Sequence, residues 1–148
     1  MNLYTIGYTQ KSAQQFFEKI SNNNIELLID VRLHNKSQLA GFTKGSDLVY
    51  FLGKLCQCGY KHDVDFAPTD DILKSYRDKK LSWLLYEQQY LALINKRHCE
   101  IAFQKAIDEA NCSNVCLLCS EPKPDFCHRR LLAEFLSSKL ANIQIIHL

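Results

Sequence analysis

Two thiols, two carboxylates, an imidazole and two guanidiniums fall within the twelve residues Cys119-Ser-Glu-Pro-Lys-Pro-Asp-Phe-Cys-His-Arg-Arg130. Thiolates act as nucleophiles or soft metal ligands, imidazole and carboxylate move protons, and guanidiniums clamp anions. The leading expectation is a site for a small anionic ligand, phosphate-bearing or nucleotide-like. Arg32 and Arg129 would hold the anion, with Gly7 and Tyr8 beside them at the end of the opening strand. Cys119 would be the reactive thiol, Glu121 an acid/base or orienting group, and His128 a proton carrier. The alternative is a divalent metal, zinc or iron, held by Cys119, Glu121, Cys127 and His128. A third reading makes the block a structural feature of an interaction module.

Several motifs are absent. Six residues after Cys119 stands Asp125, and only two residues separate Cys127 from Arg130, so no phosphatase-type Cys-x5-Arg loop exists. Paired CxxC hairpins, the mark of a structural zinc site, are missing too. If Cys127 and His128 both lie on a helix, their side chains diverge, which weighs against a structural zinc and leaves a catalytic metal site open. Cys116 and Cys119 match CxxC by letters, yet an odd offset puts them on opposite faces of a strand. Cys56 and Cys58 fall on nearly opposite sides of a predicted helix, and Cys99 and Cys112 carry no pattern. At Asp30-Val31-Arg32 the choice lies between an anion fork and a buried Asp–Arg pair. His34 and His62 read as ordinary loop histidines, and Tyr76, Trp83, Tyr86 and Tyr90, at helical spacing, as core.

The elements that must position these groups follow from apolar periodicity. Leu3–Gly7, Ile25–Val31, Tyr60–His62, Val115–Cys119 and Asn142–His147 read as strands. Ser12 with Gln15 forms a capping box before the apolar face of Ala13, Phe16, Phe17 and Ile20. Polar residues 32–45 predict a loop. A helix starts at Ser46-Asp47 and stops at Gly59, and Pro68-Thr69-Asp70-Asp71 opens a helical stretch running, with breaks, to Ile107. The last helix carries Leu131, Leu132, Phe135 and Leu136. Strands alternating with helices predict a single α/β domain over residues 1–148, a mostly parallel sheet with helices on both faces. Gly7, Arg32, His62, Cys119 with Glu121, and His147 then fall at carboxyl ends of strands, the edge where open α/β sheets bind ligands.

A formal net charge of +2 over 148 residues gives no strong signal for nucleic acid or an anionic membrane. The sequence predicts no signal peptide and no membrane span. Seven cysteines without an export signal predict reduced thiols and a cytoplasmic location. Oligomeric state is not legible.

The chain resembles the DUF488 family, a domain of unknown function. The resemblance rests on Thr5-Ile-Gly-Tyr-Thr9, Leu28-Ile-Asp-Val-Arg32 and Leu118-Cys-Ser-Glu121 with Cys127-His-Arg-Arg-Leu-Leu-Ala-Glu134. Tyr60-Lys-His62, Ala67-Pro-Thr69 and Trp83, Tyr86 and Tyr90 add to it. It implies one α/β domain with a site around the Cys-x-Glu block and the Asp-Val-Arg strand end. The family commonly has histidine and serine where this chain has Tyr8 and Thr9, and often proline where it has Asn35.

Overall fold

The chain is described by a computed structural model covering residues 1–37 and 40–148. Five parallel strands, β1 (Asn2–Gly7), β2 (Leu27–Asp30), β3 (Gly59–His62), β4 (Asn114–Cys119) and β5 (Gln144–His147), form one sheet. Their spatial order is β3-β2-β4-β1-β5. Helix α1 (Ala13–Asn22) follows β1, and α2 (Gly45–Phe51) follows β2. Helices α3 (Asp70–Arg77), α4 (Trp83–Lys96) and α5 (Cys99–Ala110) lead into β4, and α6 (His128–Lys139) leads out of it.

Strand β4 is central because both its faces are apolar. Val115, Leu117 and Cys119 join α4, α5 and α6 in one core cluster, while Cys116 and Leu118 join α1 and α2 in the other. This is the two-sided burial that a continuous apolar run predicts. The odd offset separates the thiols of Cys116 and Cys119 as expected.

The order of strands positions the site. From β2 the chain moves outward to β3 across the α2 face. From β4 it moves the other way, to β5, across the α6 face. Neighbouring strands whose continuations part in opposite directions leave a crevice at their carboxyl ends. Here that crevice opens between Asp30 and Cys119.

Local chemistry sets the remaining boundaries. Ser12 accepts from the Gln15 amide at 3.1 Å and Gln15 returns the bond at 2.9 Å, completing the capping box of α1. The helix expected to stop at Gly59 stops earlier. After α2 a π-helical turn, Leu52–Cys56, ends at Gln57, whose φ of 52° is left-handed, and Gly59 opens β3 instead. Cys58 therefore lies beyond the helix and not on its far side. The stretch 32–45 is irregular apart from a 3-10 turn at Gly41–Thr43 and the start of α2, and residues 38 and 39 of it lie outside the described ones. The last strand begins at Gln144, because Asn142 is a turn residue with φ of 61°. Among the described residues no helix is long and apolar enough to cross a membrane.

Candidate functional site

Cys119 closes β4 in register with Gly7 of β1. The loop that follows is tied to the end of β1: the Tyr8 amide donates to the Cys119 carbonyl at 3.3 Å, and the Thr9 amide and hydroxyl donate to the Ser120 carbonyl at 3.2 and 2.7 Å. A Cβ on Gly7 would fall on the Glu121 carbonyl, far inside van der Waals contact. Glycine is needed here for room, since its φ is not in the left-handed region.

Arg129 locks the same loop from α6. Its guanidinium is fully buried and donates to the Glu121 carbonyl at 2.6 Å, the Cys127 thiol at 3.3 Å, Thr5 Oγ1 at 3.4 Å and the Pro122 carbonyl at 3.5 Å. No carboxylate pairs with it among the described residues. A buried cation without a counter-charge is costly, so negative charge must gather nearby.

Of the two thiols nearby, Cys119 is the one whose charged form the surroundings favour. Cys127 is the N-cap of α6, extended at φ −139° and ψ 135°, and His128 is the first helical residue. The two side chains therefore do not splay as they would if both were helical. Cys119, Cys127 and His128 bring their ligating atoms within 4.8 Å of one another, and all three are buried. Cys119 Sγ lies 3.6 Å from His128 Nδ1 and 3.7 Å from Nε2. His128 Nε2 lies 2.9 Å from the Val31 carbonyl. A carbonyl only accepts, so Nε2 carries a proton, and Nδ1 is the acceptor of the neutral ring. The Cys127 thiol donates to Cys119, and with Arg129 and the amides of Ser120 and Glu121 this holds Cys119 below the ordinary thiol pKa despite burial. Cys127 is pushed the other way, chiefly by that same hydrogen bond and then by burial. Tyr90, its hydroxyl 2.6 Å from the Phe66 carbonyl, packs edge-on against the His128 ring at 5.5 Å.

Across the crevice Arg32 forms a buried pair with Asp30. Nε and Nη2 donate to the two carboxylate oxygens at 2.8 and 2.7 Å, and Nη2 also reaches the Thr43 carbonyl at 2.7 Å. Tyr60 donates to Asp30 at 2.7 Å while accepting from Asn35 Nδ2 at 2.9 Å. Tyr8 lies under the guanidinium, 5.2 Å from its ring centre. Asn35 and Tyr8, two positions that depart from the pattern the chain resembles, thus both support the Asp30–Arg32 pair. Arg32 Nη1 makes no hydrogen bond to the described residues.

A cavity of ≈ 250 Å³ fills the crevice. Cys119, Cys127 and His128 line it, facing Arg32, His34, Arg77, Glu121 and the rings of Tyr76, Tyr86 and Phe126. Of the residues singled out from sequence, Cys119, Glu121, Cys127, His128 and Arg32 thus share one space. Glu121 is exposed and stands outside the close cluster. Gly7 and Arg129 lie behind the cavity and shape its loop. His62 caps the Arg32 carbonyl at 2.7 Å, and His147 bonds Thr5 at 2.7 Å, so neither lines it. Tyr86 and Tyr90 are core, as their spacing suggested, although Tyr86 also lines the cavity together with half-buried Tyr76. Sequence reasoning passed over Arg77 and Phe126. An exposed phenylalanine amid Pro-Asp loop residues is the signal that marks Phe126.

The family model described as "Domain of unknown function DUF488" matches residues 12–136. The chain belongs to the DUF488 family. No curated protein and no solved structure match it. The DUF488 match takes in the Asp30–Arg32 strand end and the whole Cys119–Arg130 block. It begins after Gly7 and Tyr8, which the fold nevertheless packs against that block.

Proposed function

We propose that this DUF488 chain binds a small anionic molecule, bearing phosphate or carboxylate, in the crevice between the ends of β2 and β4. The Cys119–Cys127–His128 cluster is the reacting end of that site. One observation carries the reading: the cavity that exposes the cluster is also lined by three basic side chains, Arg32, His34 and Arg77. Arg32 is neutralised by Asp30 and offers its Nη1 edge. His34 sits 3.3 Å from Asp70 at the surface. Arg77 has no ion-pair partner among the described residues, and so supplies the free charge. Behind the cavity, buried Arg129 and the first turn of α6 add positive potential. Tyr76 and Phe126 offer ring faces to an apolar or aromatic portion of the ligand. In this reading Glu121, exposed and lining the cavity, is the proton-transfer group. Pockets for drug-sized ligands span about 300–1,000 Å³, so a cavity of ≈ 250 Å³ suits a metabolite or a nucleotide head and not a macromolecule.

The test is calorimetric titration of the reduced protein with inorganic phosphate, a nucleoside monophosphate and a small dicarboxylate. Arg77→Ala removes one exposed charge-assisted contact and should weaken the best of these by roughly five- to tenfold, about 1 kcal/mol. Saturable binding that survives Arg77→Ala and His34→Ala unchanged, or no saturable binding by the wild type, would sink the proposal.

A further inference from the structure

The close cluster has the makings of more than a polar floor. We infer that Cys119 Sγ, Cys127 Sγ and His128 Nδ1 are three ligands of a single divalent, zinc-type metal ion whose fourth position faces the cavity. The separations fit. With metal–sulfur bonds of about 2.3 Å and metal–nitrogen bonds of about 2.0–2.1 Å, a tetrahedral centre puts sulfur and nitrogen roughly 3.6 Å apart. Cys119 Sγ stands 3.6 Å from His128 Nδ1 and 3.7 Å from Nε2, so a turn of the Cys119 side chain into the ring plane, on the Nδ1 side, completes the geometry. Cys127 lies within the same 4.8 Å limit of both.

The surroundings are those a metal site needs. A ligating histidine generally donates its other ring N–H to a carbonyl or carboxylate, which fixes the tautomer; here Nε2 does so to Val31 at 2.9 Å. One sulfur already receives an N–H group, from Arg129 Nη1 to Cys127 at 3.3 Å. Two thiolates and one imidazole select a borderline-soft tetrahedral ion over magnesium or calcium. Protein does not fill the remaining position, since all three ligand residues line the cavity. Three protein ligands and an open site are the pattern of a catalytic centre, not a structural one. Glu121, exposed and outside the cluster, is no ligand in this arrangement.

Charge points to what takes the fourth position. Arg129 and a divalent ion against two thiolates leave one positive charge at a buried centre. A single anionic oxygen, from hydroxide, phosphate or carboxylate, neutralises it. In this respect the inference deepens the anion-site reading, although the ion itself does not depend on it.

The experiment is an anaerobic titration of reduced, chelator-treated full-length protein with cobalt(II), purified without a metal-affinity column. One equivalent should give the intense visible bands of tetrahedral cobalt and a thiolate-to-cobalt charge-transfer band, both displaced by zinc. The charge-transfer band should weaken in Cys119→Ser and Cys127→Ser and persist in Cys116→Ser, whose thiol faces the other core. Wild-type protein with all thiols reduced and its fold intact by circular dichroism, yet giving no charge-transfer band, overturns the inference without any variant. Phosphate added to the cobalt protein separates the two readings. Shifted visible bands support both. Unshifted bands at full cobalt occupancy uphold the metal and count against the anion. Phosphate binding to a chain that takes no cobalt does the reverse.

Discussion

Gly7→Ala isolates the close approach on which the Cys119 loop depends. Glycine normally earns its place by backbone freedom, but Gly7 has an ordinary φ, so alanine adds no backbone strain. In the unfolded chain alanine would even help, by about 0.4–1 kcal/mol. Against that, the new Cβ falls on the Glu121 carbonyl, a backbone group that cannot swing aside as a side chain can. Overpacking of this kind costs about 1–3 kcal/mol. Moving the Glu121 peptide also loosens its 2.6 Å bond from Arg129, and a hydrogen bond to a charged group contributes roughly 1.5–3 kcal/mol. The net expectation is a loss of about 3–4 kcal/mol, or roughly 6–16 °C in Tm for a chain of this size. Urea unfolding of reduced protein at constant m-value measures it. Gly53→Ala is the control, since no atom lies near its Cβ position and alanine in a helical turn should be neutral or stabilising. A Gly7→Ala loss below about 1 kcal/mol would refute the idea that the loop is pinned by this contact.

Two other substitutions test the crevice and the opposite end of the sheet. Asp30→Asn leaves buried Arg32 without its counter-charge and should cost about 3–5 kcal/mol, read by the same unfolding assay; a neutral effect would show that Thr43 and Tyr8 suffice. At the opposite end of the sheet, Glu26 accepts the Ser113 and Asn114 amides at 2.8 Å each, and these bonds lower its pKa. A depressed carboxylate stabilises the fold above its unfolded pKa and ceases to as pH falls through the folded value. Wild type should therefore exceed Glu26→Gln in stability by a small margin at neutral pH, and the margin should close in acid below about pH 4. A margin that persists at pH 2 would mean that charge is not involved.

How much of this could be read from sequence depended on whether a residue's role was local. The strands were legible because Val115-Cys-Leu-Leu-Cys119 and Leu27-Leu-Ile-Asp30 are apolar on both faces, and the helices alternated between them. The carboxyl edge followed from that alternation alone. The geometry of Cys127 and His128 was not legible, since it turns on which residue is the N-cap, and no Ser, Thr, Asp or Asn marked one. Arg129 and Arg32 looked alike in sequence. Their difference lies in long-range partners: Arg129 bonds loop carbonyls and Thr5 of β1, whereas Arg32 pairs with a carboxylate two residues away. Gln57 ended a helix where glycine two residues later was the expected stop, because a left-handed glutamine carries no compositional flag.

The central place of β4 has a consequence for how the chain comes into being. β1 and β2 are made first, yet they never touch in the sheet: each pairs with β4, whose partners for Leu3 and Leu27 meet at Val115. A ribosome that has released only residues up to about 113 has therefore produced β2 with its neighbour β3, and β1 apart, with no strand to join them. Pairings of such long sequence separation form late and slowly, and the exposed strand edges invite aggregation meanwhile. The thiol that completes the site arrives on the strand that completes the sheet. Fragments ending before β4 lack the strand that joins β1 to β2, and the Cys119–Cys127–His128 cluster cannot exist in them.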